Sequence, residues 1–372
     1  MIPSPRTLVV ATLVCSAAWL HAQNSIGPLV GFGGTDGWLS PGEGGYTYLG
    51  TANNERGLAY GNGQIYLVSR AGGNNIRRLN SFTGAELGSL IVSGISQGTF
   101  QVNMAGVAGD GAIYVCNLAS PVNGTTPTPF KVYRWANDGA TPTVVYTSTS
   151  ITAGRMGDDF DVIGSGASTR LVAGESNSGG SGARNGYAVM TTADGSSYTG
   201  TLVTFAGTPP NAGDFRLGIT FTDADHVLGT QGGGAPARYT SFAGANGTLL
   251  GSPVLAGSTV QRPIDFAIIN GLPVLATIST GDSTVRVFDM TDPLNPVLLL
   301  SGNNTTGTLT ANGNGTGAVA WGSISGANAT LYAMSSNQGI QAFSLTIIPE
   351  PSSAALLGLG LAALLLGRRN RA

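Results

Sequence analysis

Charge, imidazole and thiol are all scarce in this chain. Of its 372 residues only 10% are Asp, Glu, Lys or Arg, and there are two His and two Cys; ordinary soluble domains carry about 25% charged residues. So little charge, with a formal net of −2, excludes a charge-rich disordered tail and a basic nucleic-acid binder. Cys15 and His21 fall in an N-terminal export segment, which leaves the body one thiol, Cys116, one imidazole, His226, and one ammonium, Lys131. A lone cysteine makes no internal disulfide. A lone thiol and a lone imidazole also exclude a clustered Cys or His zinc site within one chain. What abounds is turn chemistry: 58 Gly and 18 Pro together make about a fifth of the sequence. No G-X-Y period accompanies them, so collagen is excluded, and 42% apolar residues are enough for a folded body.

Both ends read as addresses. Arg6 precedes an apolar run from Leu8 to Leu20, then His21-Ala22. A short positive region, a core too brief to span a bilayer and a small residue at the cut predict a secretory signal peptide over 1–22. A lipid anchor on Cys15 is the rival, but Val14 is not the small residue expected before a lipidated cysteine. At the other end stand Pro349-Glu350-Pro351, an apolar stretch predicted to form a single transmembrane helix over 352–367, and the basic residues Arg368, Arg369 and Arg371. That helix would reach about 24 Å at 1.5 Å per residue, a minimal span with its basic end held in the cytoplasm.

This triplet, helix and arginine cluster over 348–372 resemble the PEP-CTERM sorting signal. The resemblance implies an exosortase-type processing enzyme as partner, a precursor held in the inner membrane of a Gram-negative bacterium, then display at the cell surface or in the extracellular matrix. An ordinary C-terminal membrane anchor is the plainer alternative.

Between the tails, over 23–347, one unit recurs about every fifty residues: an apolar strand, a turn at Gly61, Gly109, Gly164, Asp223, Asn270 or Ser325, and a second apolar strand. Third and fourth strands follow, as in Asn75-Ile-Arg-Arg-Leu-Asn80 and Phe130-Lys-Val-Tyr-Arg-Trp135, with hairpin turn chemistry throughout. Inner strands are nearly continuous apolar runs, which suits sheets covered on both faces. The last unit lacks a fourth strand, and an unpaired edge is a liability that Tyr46-Thr47-Tyr48-Leu49 would remove. The expectation is an all-β chain: a six-bladed β-propeller closed by N- and C-terminal strands, plus the C-terminal transmembrane helix. The stretch from Asp282 to Leu299 resembles an LVIVD-type propeller repeat, and that from Ile65 to Leu90 is similar to YVTN and NHL blades. These resemblances imply a fold and no activity.

Four units place an arginine at or just before the inner strand: Arg56, Arg155, Arg216 and Arg262. In one phase they would gather at an axial mouth beside Asp159 and Asp265, with Glu55, Asp158 and Asp214 near, and hold carboxylates or sulfates of an acidic polysaccharide bidentately. The plainer reading is favoured: each arginine pairs with a carboxylate of its own or the next unit, because poorly charged proteins neutralise their few inward charges. Asp158, Asp159 and Asp161 are weak calcium candidates, since no EF-hand or nonapeptide calcium repeat is present. His226, in the turn Asp223-Ala224-Asp225-His226, reads as a surface residue, and Cys116 as a small buried hydrophobe. Gly232-Gly233-Gly234 and Gly179-Gly180 open no helix, so no phosphate-binding loop is read.

The sparse catalytic inventory predicts a non-enzymatic binding or structural platform without cofactor, and the PEP-CTERM resemblance implies that it is exported and linked to exopolysaccharide or envelope proteins. The alternative is a secreted carbohydrate-active enzyme, a glycosidase or lyase using the axial Arg and Asp groups. The Ser-x-Asp-x-Gly-x-Thr-Trp turns of sialidases are missing; the nearest stretch, Thr192 to Tyr198, departs at the glycine and beyond.

Overall fold

The computed structural model describes residues 23–349, apart from 124, 153, 177–184, 208 and 258–259. The expected signal peptide, 1–22, lies outside the described residues, as do Glu350, Pro351, the expected span 352–367 and Arg368, Arg369 and Arg371.

Local turn chemistry sets the hairpins. Asn62-Gly63, with φ of 52° and 74°, joins Glu55–Gly61 to Gln64–Ser69. Asn270-Gly271, at 52° and 79°, joins Gln261–Ile269 to Leu272–Ser279. Both are two-residue turns with left-handed dihedrals, whose twist matches that of paired strands. Three sheets hold four antiparallel strands each: Glu55–Gly61 out to Glu86–Ser89, Phe100–Val107 out to Thr143–Ser148, and Gln261–Ile269 out to Val297–Gly302. A five-stranded sheet joins Gly317–Ser325, Asn328–Ser335 and Ile340–Thr346 to the N-terminal Ser25–Pro28 and Trp38–Leu39. One eight-stranded sheet runs from Arg155–Ile163 to Gly218–Phe221.

The first strand of each run lies innermost. Glu55–Gly61, Phe100–Val107, Arg155–Ile163, Gly218–Phe221, Gln261–Ile269 and Gly317–Ser325 are neighbours in that order, and the last returns to the first. The result is an all-β, propeller-like arrangement. Its cores lie between facing sheets: Tyr114 and Phe130 of one sheet pack with Met156, Leu171 and Met190 of the next.

Three expectations are corrected. Instead of six separate blades there are four separate sheets and one doubled sheet, because Tyr198–Phe205 pairs in parallel with Asn246–Gly251, Thr204 against Asn246 and Phe205 against Gly247. Two outer edges that would otherwise stand bare are joined there. Second, the C-terminal transmembrane helix is unsupported: its span, 352–367, lies outside the described residues, and among those described no helix is long and apolar enough to cross a membrane. Third, the N-terminal strands that pair with Ile340–Thr346 are Ser25–Pro28, with Ile26 opposite Leu345, and Trp38–Leu39, whereas Tyr46 to Leu49 form a turn after the short helix Glu43–Gly45.

Candidate functional site

At one end of the axis the inner strands break register at a common level. Ladder pairing is interrupted between Glu55 and Leu58, Phe100 and Met104, Met156 and Phe160, and Gln261 and Ile264. Arg56, Asn103, Asp158 and Arg262 stand in these interruptions. A bulge re-aims the side chain it carries, so strand alternation does not govern these positions.

Asp158 is 2% exposed and is shared by two arginines. Arg155 donates Nε at 2.5 Å and Nη2 at 2.6 Å, a bidentate grip, and Arg216 donates Nε at 3.0 Å. The bond to Asp158 raises the Arg155 pKa. Arg56 is buried, donates Nη1 to Thr316 Oγ1 at 2.9 Å and lies 4.7 Å from the Phe100 ring centre. Phe100 also lies 3.6 Å from the Arg70 guanidinium. Burial, reinforced by the charges of Arg70, Arg155 and Arg216, lowers the Arg56 pKa to about 10, and its Nε has no hydrogen-bond partner. Arg262 is half-buried, and its pKa is lowered by burial and by Arg216. Its Nε is also without a partner, and its guanidinium donates to nothing among the described residues.

The nearby carboxylates do not balance this charge. Glu55 is buried, accepts the Gly50 N–H at 3.1 Å on Oε1 and leaves Oε2 without a partner; burial raises its pKa. Asp214, expected at the mouth, is paired instead with Arg238 at 2.6 Å. Five arginines, including Arg70, thus share the region with Asp158 and a Glu55 whose ionisation is opposed.

Asp159 and Asp265 do not join the arginines. Asp159 Oδ2 accepts the Ile219 N–H at 2.7 Å, and Asp265 Oδ2 accepts the Trp321 N–H at 2.7 Å. Asp161 Oδ2 takes the Phe221 N–H at 2.8 Å and the Thr220 hydroxyl at 3.0 Å. Each therefore satisfies the inward edge of the next inner strand, a row of donors that ladder pairing leaves open. They line an axial cavity of about 160 Å³ with Met104, Ile219 and Trp321. Burial raises all three pKa values; the charges of Asp161 and Asp265 raise Asp159 further, and that of Asp161 raises Asp265. Asp158, Asp159 and Asp161 do not converge on a calcium position: the first turns to the arginines and the others to backbone N–H groups. Among the described residues, no group of three or more His, Cys, Asp or Glu is placed to hold a metal.

His226 accompanies Asp223 at 2.8 Å and stacks on Tyr239. Cys116 is fully buried, which raises its thiol pKa and keeps it protonated. The roles of Arg70, Phe100 and Thr316 are not anticipated from sequence. A signal for Arg70 exists: Arg56 and Arg70 bracket the first hairpin, and an antiparallel hairpin brings its two ends together.

The arrangement is a cationic mouth with one shared carboxylate and three arginine Nε groups, those of Arg56, Arg70 and Arg262, buried without partners. It can hold an anion through planar, charge-assisted hydrogen bonds.

The PEP-CTERM protein-sorting motif matches residues 348–371. It marks an exported, cell-surface-targeted chain and implies an exosortase-type processing partner. No LVIVD-, YVTN- or NHL-type match accompanies it, and no curated protein matches the chain. Among solved structures, a DUF4623 family protein from Bacteroides eggerthii is 16% identical, with a TM-score of 0.62 over 80% of this chain and 72% of that one. A gluconolactonase from Xanthomonas campestris is 12% identical, TM-score 0.46, over 79% and 86%. The Aleuria aurantia lectin, in complex with alpha-methyl-L-fucoside, is 11% identical, TM-score 0.46, over 82% and 98%. At 16% identity the likeness to the DUF4623 family protein is one of fold alone.

Proposed function

We propose that this chain is a surface- or matrix-displayed, non-enzymatic platform whose arginine mouth takes the carboxylate or sulfate groups of an extracellular acidic polysaccharide. The observation that carries this reading is Arg262: a half-buried guanidinium with no acceptor, beside Arg216, whose own carboxylate Asp158 is already shared with Arg155. A half-buried guanidinium without a counter-charge gains from a ligand anion that pairs with it. Exosortase-type processing, release in a Gram-negative envelope and contacts with envelope proteins belong to the same proposal.

Calorimetric titration with polygalacturonate at low salt tests it. Binding that weakens as salt rises and falls about tenfold or more in Arg262→Ala is expected; absence of binding to both polygalacturonate and a sulfated glycan refutes it. The raised pKa values of Asp159 and Asp265 favour one second reading, glycoside hydrolysis with a protonated aspartate as general acid. Glycan turnover abolished in Asp159→Asn would replace the platform with an enzyme.

A further inference from the structure

Beside Arg262 lies a feature that the anion-binding reading does not use. Gly232, Gly234, Ala235, Pro236, Val254 and Leu255 frame a notch of about 110 Å³, and Val254 is 69% exposed at its rim.

Notch and arginine are built as one unit. Thr230, which lines the notch, donates its hydroxyl to the Arg262 carbonyl. Gly232 lies against the arginine stem: a Cβ there would sit 2.5 Å from Cγ and 2.8 Å from Nε. On the other side Gly315, at φ of 63°, leaves room for the guanidinium, which a Cβ would overlap. Two glycines with left-handed backbone thus bracket one side chain, a conformation glycine adopts at little cost. The guanidinium is fixed between two loops, with an apolar recess sharing its Gly232 wall.

We infer that the acid recognised at Arg262 carries a small apolar substituent, an acetyl or methyl group close to its carboxylate, which enters this notch. The inference rests on the anion-binding reading and narrows it from acidic glycans in general to those bearing acylated or methylated acidic sugars. Gly232 both lines the notch and lies against the Arg262 stem, so the notch and the arginine share one wall. Burying one methyl group there strengthens binding about fivefold.

The test compares galacturonate with 2-acetamido-2-deoxygalacturonate by calorimetry on the processed chain, with inorganic sulfate as an anion without an apolar part. The acetamido sugar is expected to bind about fivefold tighter than galacturonate. Ala235→Leu, on an exposed loop, is expected to fill the notch and erase that preference. Val254→Ser is expected to reduce the preference without touching the loop, and an unchanged melting temperature in both variants shows that the fold is intact. Equal affinity for the two sugars, or a preference that survives both variants, overturns the inference but leaves the anion site standing. Failure of both sugars and of sulfate to bind overturns the anion site as well.

Discussion

The Asp265 carboxylate takes the backbone N–H of Trp321 at 2.7 Å, while the Asp265 carbonyl takes the Trp321 indole N–H at 3.1 Å. One residue of an inner strand thus holds the main chain and the side chain of its neighbour. Burial, then the charge of Asp161, raises the Asp265 pKa well above the ordinary carboxylate value. A carboxyl that binds its proton more tightly folded than unfolded contributes stability below its folded pKa and loses it as pH rises through that value. Thermal unfolding is therefore expected at higher temperature near pH 5 than near pH 8. Asp265→Asn, which keeps the acceptor oxygen, should flatten that slope, and Asp265→Ala should cost about 1–3 kcal/mol by orphaning the Trp321 N–H. Scanning calorimetry across pH decides; an unchanged slope in Asp265→Asn removes Asp265 as its source.

Asp158 carries the charge balance of the mouth. Its replacement by Asn leaves Arg155 and Arg216 facing each other without a carboxylate, which should cost about 3 kcal/mol. Added sulfate should restore more stability to this variant than to the parent, because an anion bound only by the folded state shifts the equilibrium toward it. Melting curves with and without sulfate measure this, and a variant that gains nothing from sulfate would place the anion elsewhere.

The doubled sheet depends on a close approach. A Cβ on Gly247 would lie 2.5 Å from Cε1 of Phe205, its parallel partner. Gly247→Val should therefore separate the two outer strands and destabilise the chain by about 1–3 kcal/mol. Faster amide exchange at Thr204 is the specific readout, since its N–H donates to the Ala245 carbonyl at 3.0 Å across that junction. Unaltered exchange would mean that the pairing contributes little.

What could be read in advance was local. Asn62-Gly63 and Asn270-Gly271 announce their hairpins because two left-handed residues admit one kind of turn. Apolar runs such as Ile65 to Val68 and Val274 to Ala276 announce covered strands. The parallel pair Thr204–Asn246 is not legible, because it depends on how two sheets tilt and involves only two residues from each. Tyr46 to Leu49 alternates like a strand, yet Gly42, Gly44 and Gly45 precede it with positive φ and wind the chain into a turn. Asp158 and Asp159 are adjacent in sequence but serve arginines and backbone respectively, since the bulge between Met156 and Phe160 sends them apart. Pairing of arginines with local carboxylates is the favoured expectation, and it describes Arg155 and Arg216 but not Arg56 or Arg262.

The junction between body and sorting motif sets where processing can occur without harm. Ile347 is fully buried and donates its N–H to the Ala327 carbonyl at 2.7 Å, and the Ile348 N–H reaches Asn24 Oδ1 at 2.7 Å. Pro349 follows at once, so the folded body extends to the first residue of the Pro349-Glu350-Pro351 triplet. A chain ending at Pro349 should melt with the same midpoint as one that keeps the tail. A chain ending at Thr346 loses the Ile347 side chain from its core and should be about 2–4 kcal/mol less stable. Mass spectrometry of the protein recovered from cells is expected to give a C terminus at or beyond Pro349. A terminus upstream of Ile347 would require the sorting machinery to strip a buried residue that directly follows the strand Ile340–Thr346, and would show that processing acts on a partly unfolded chain.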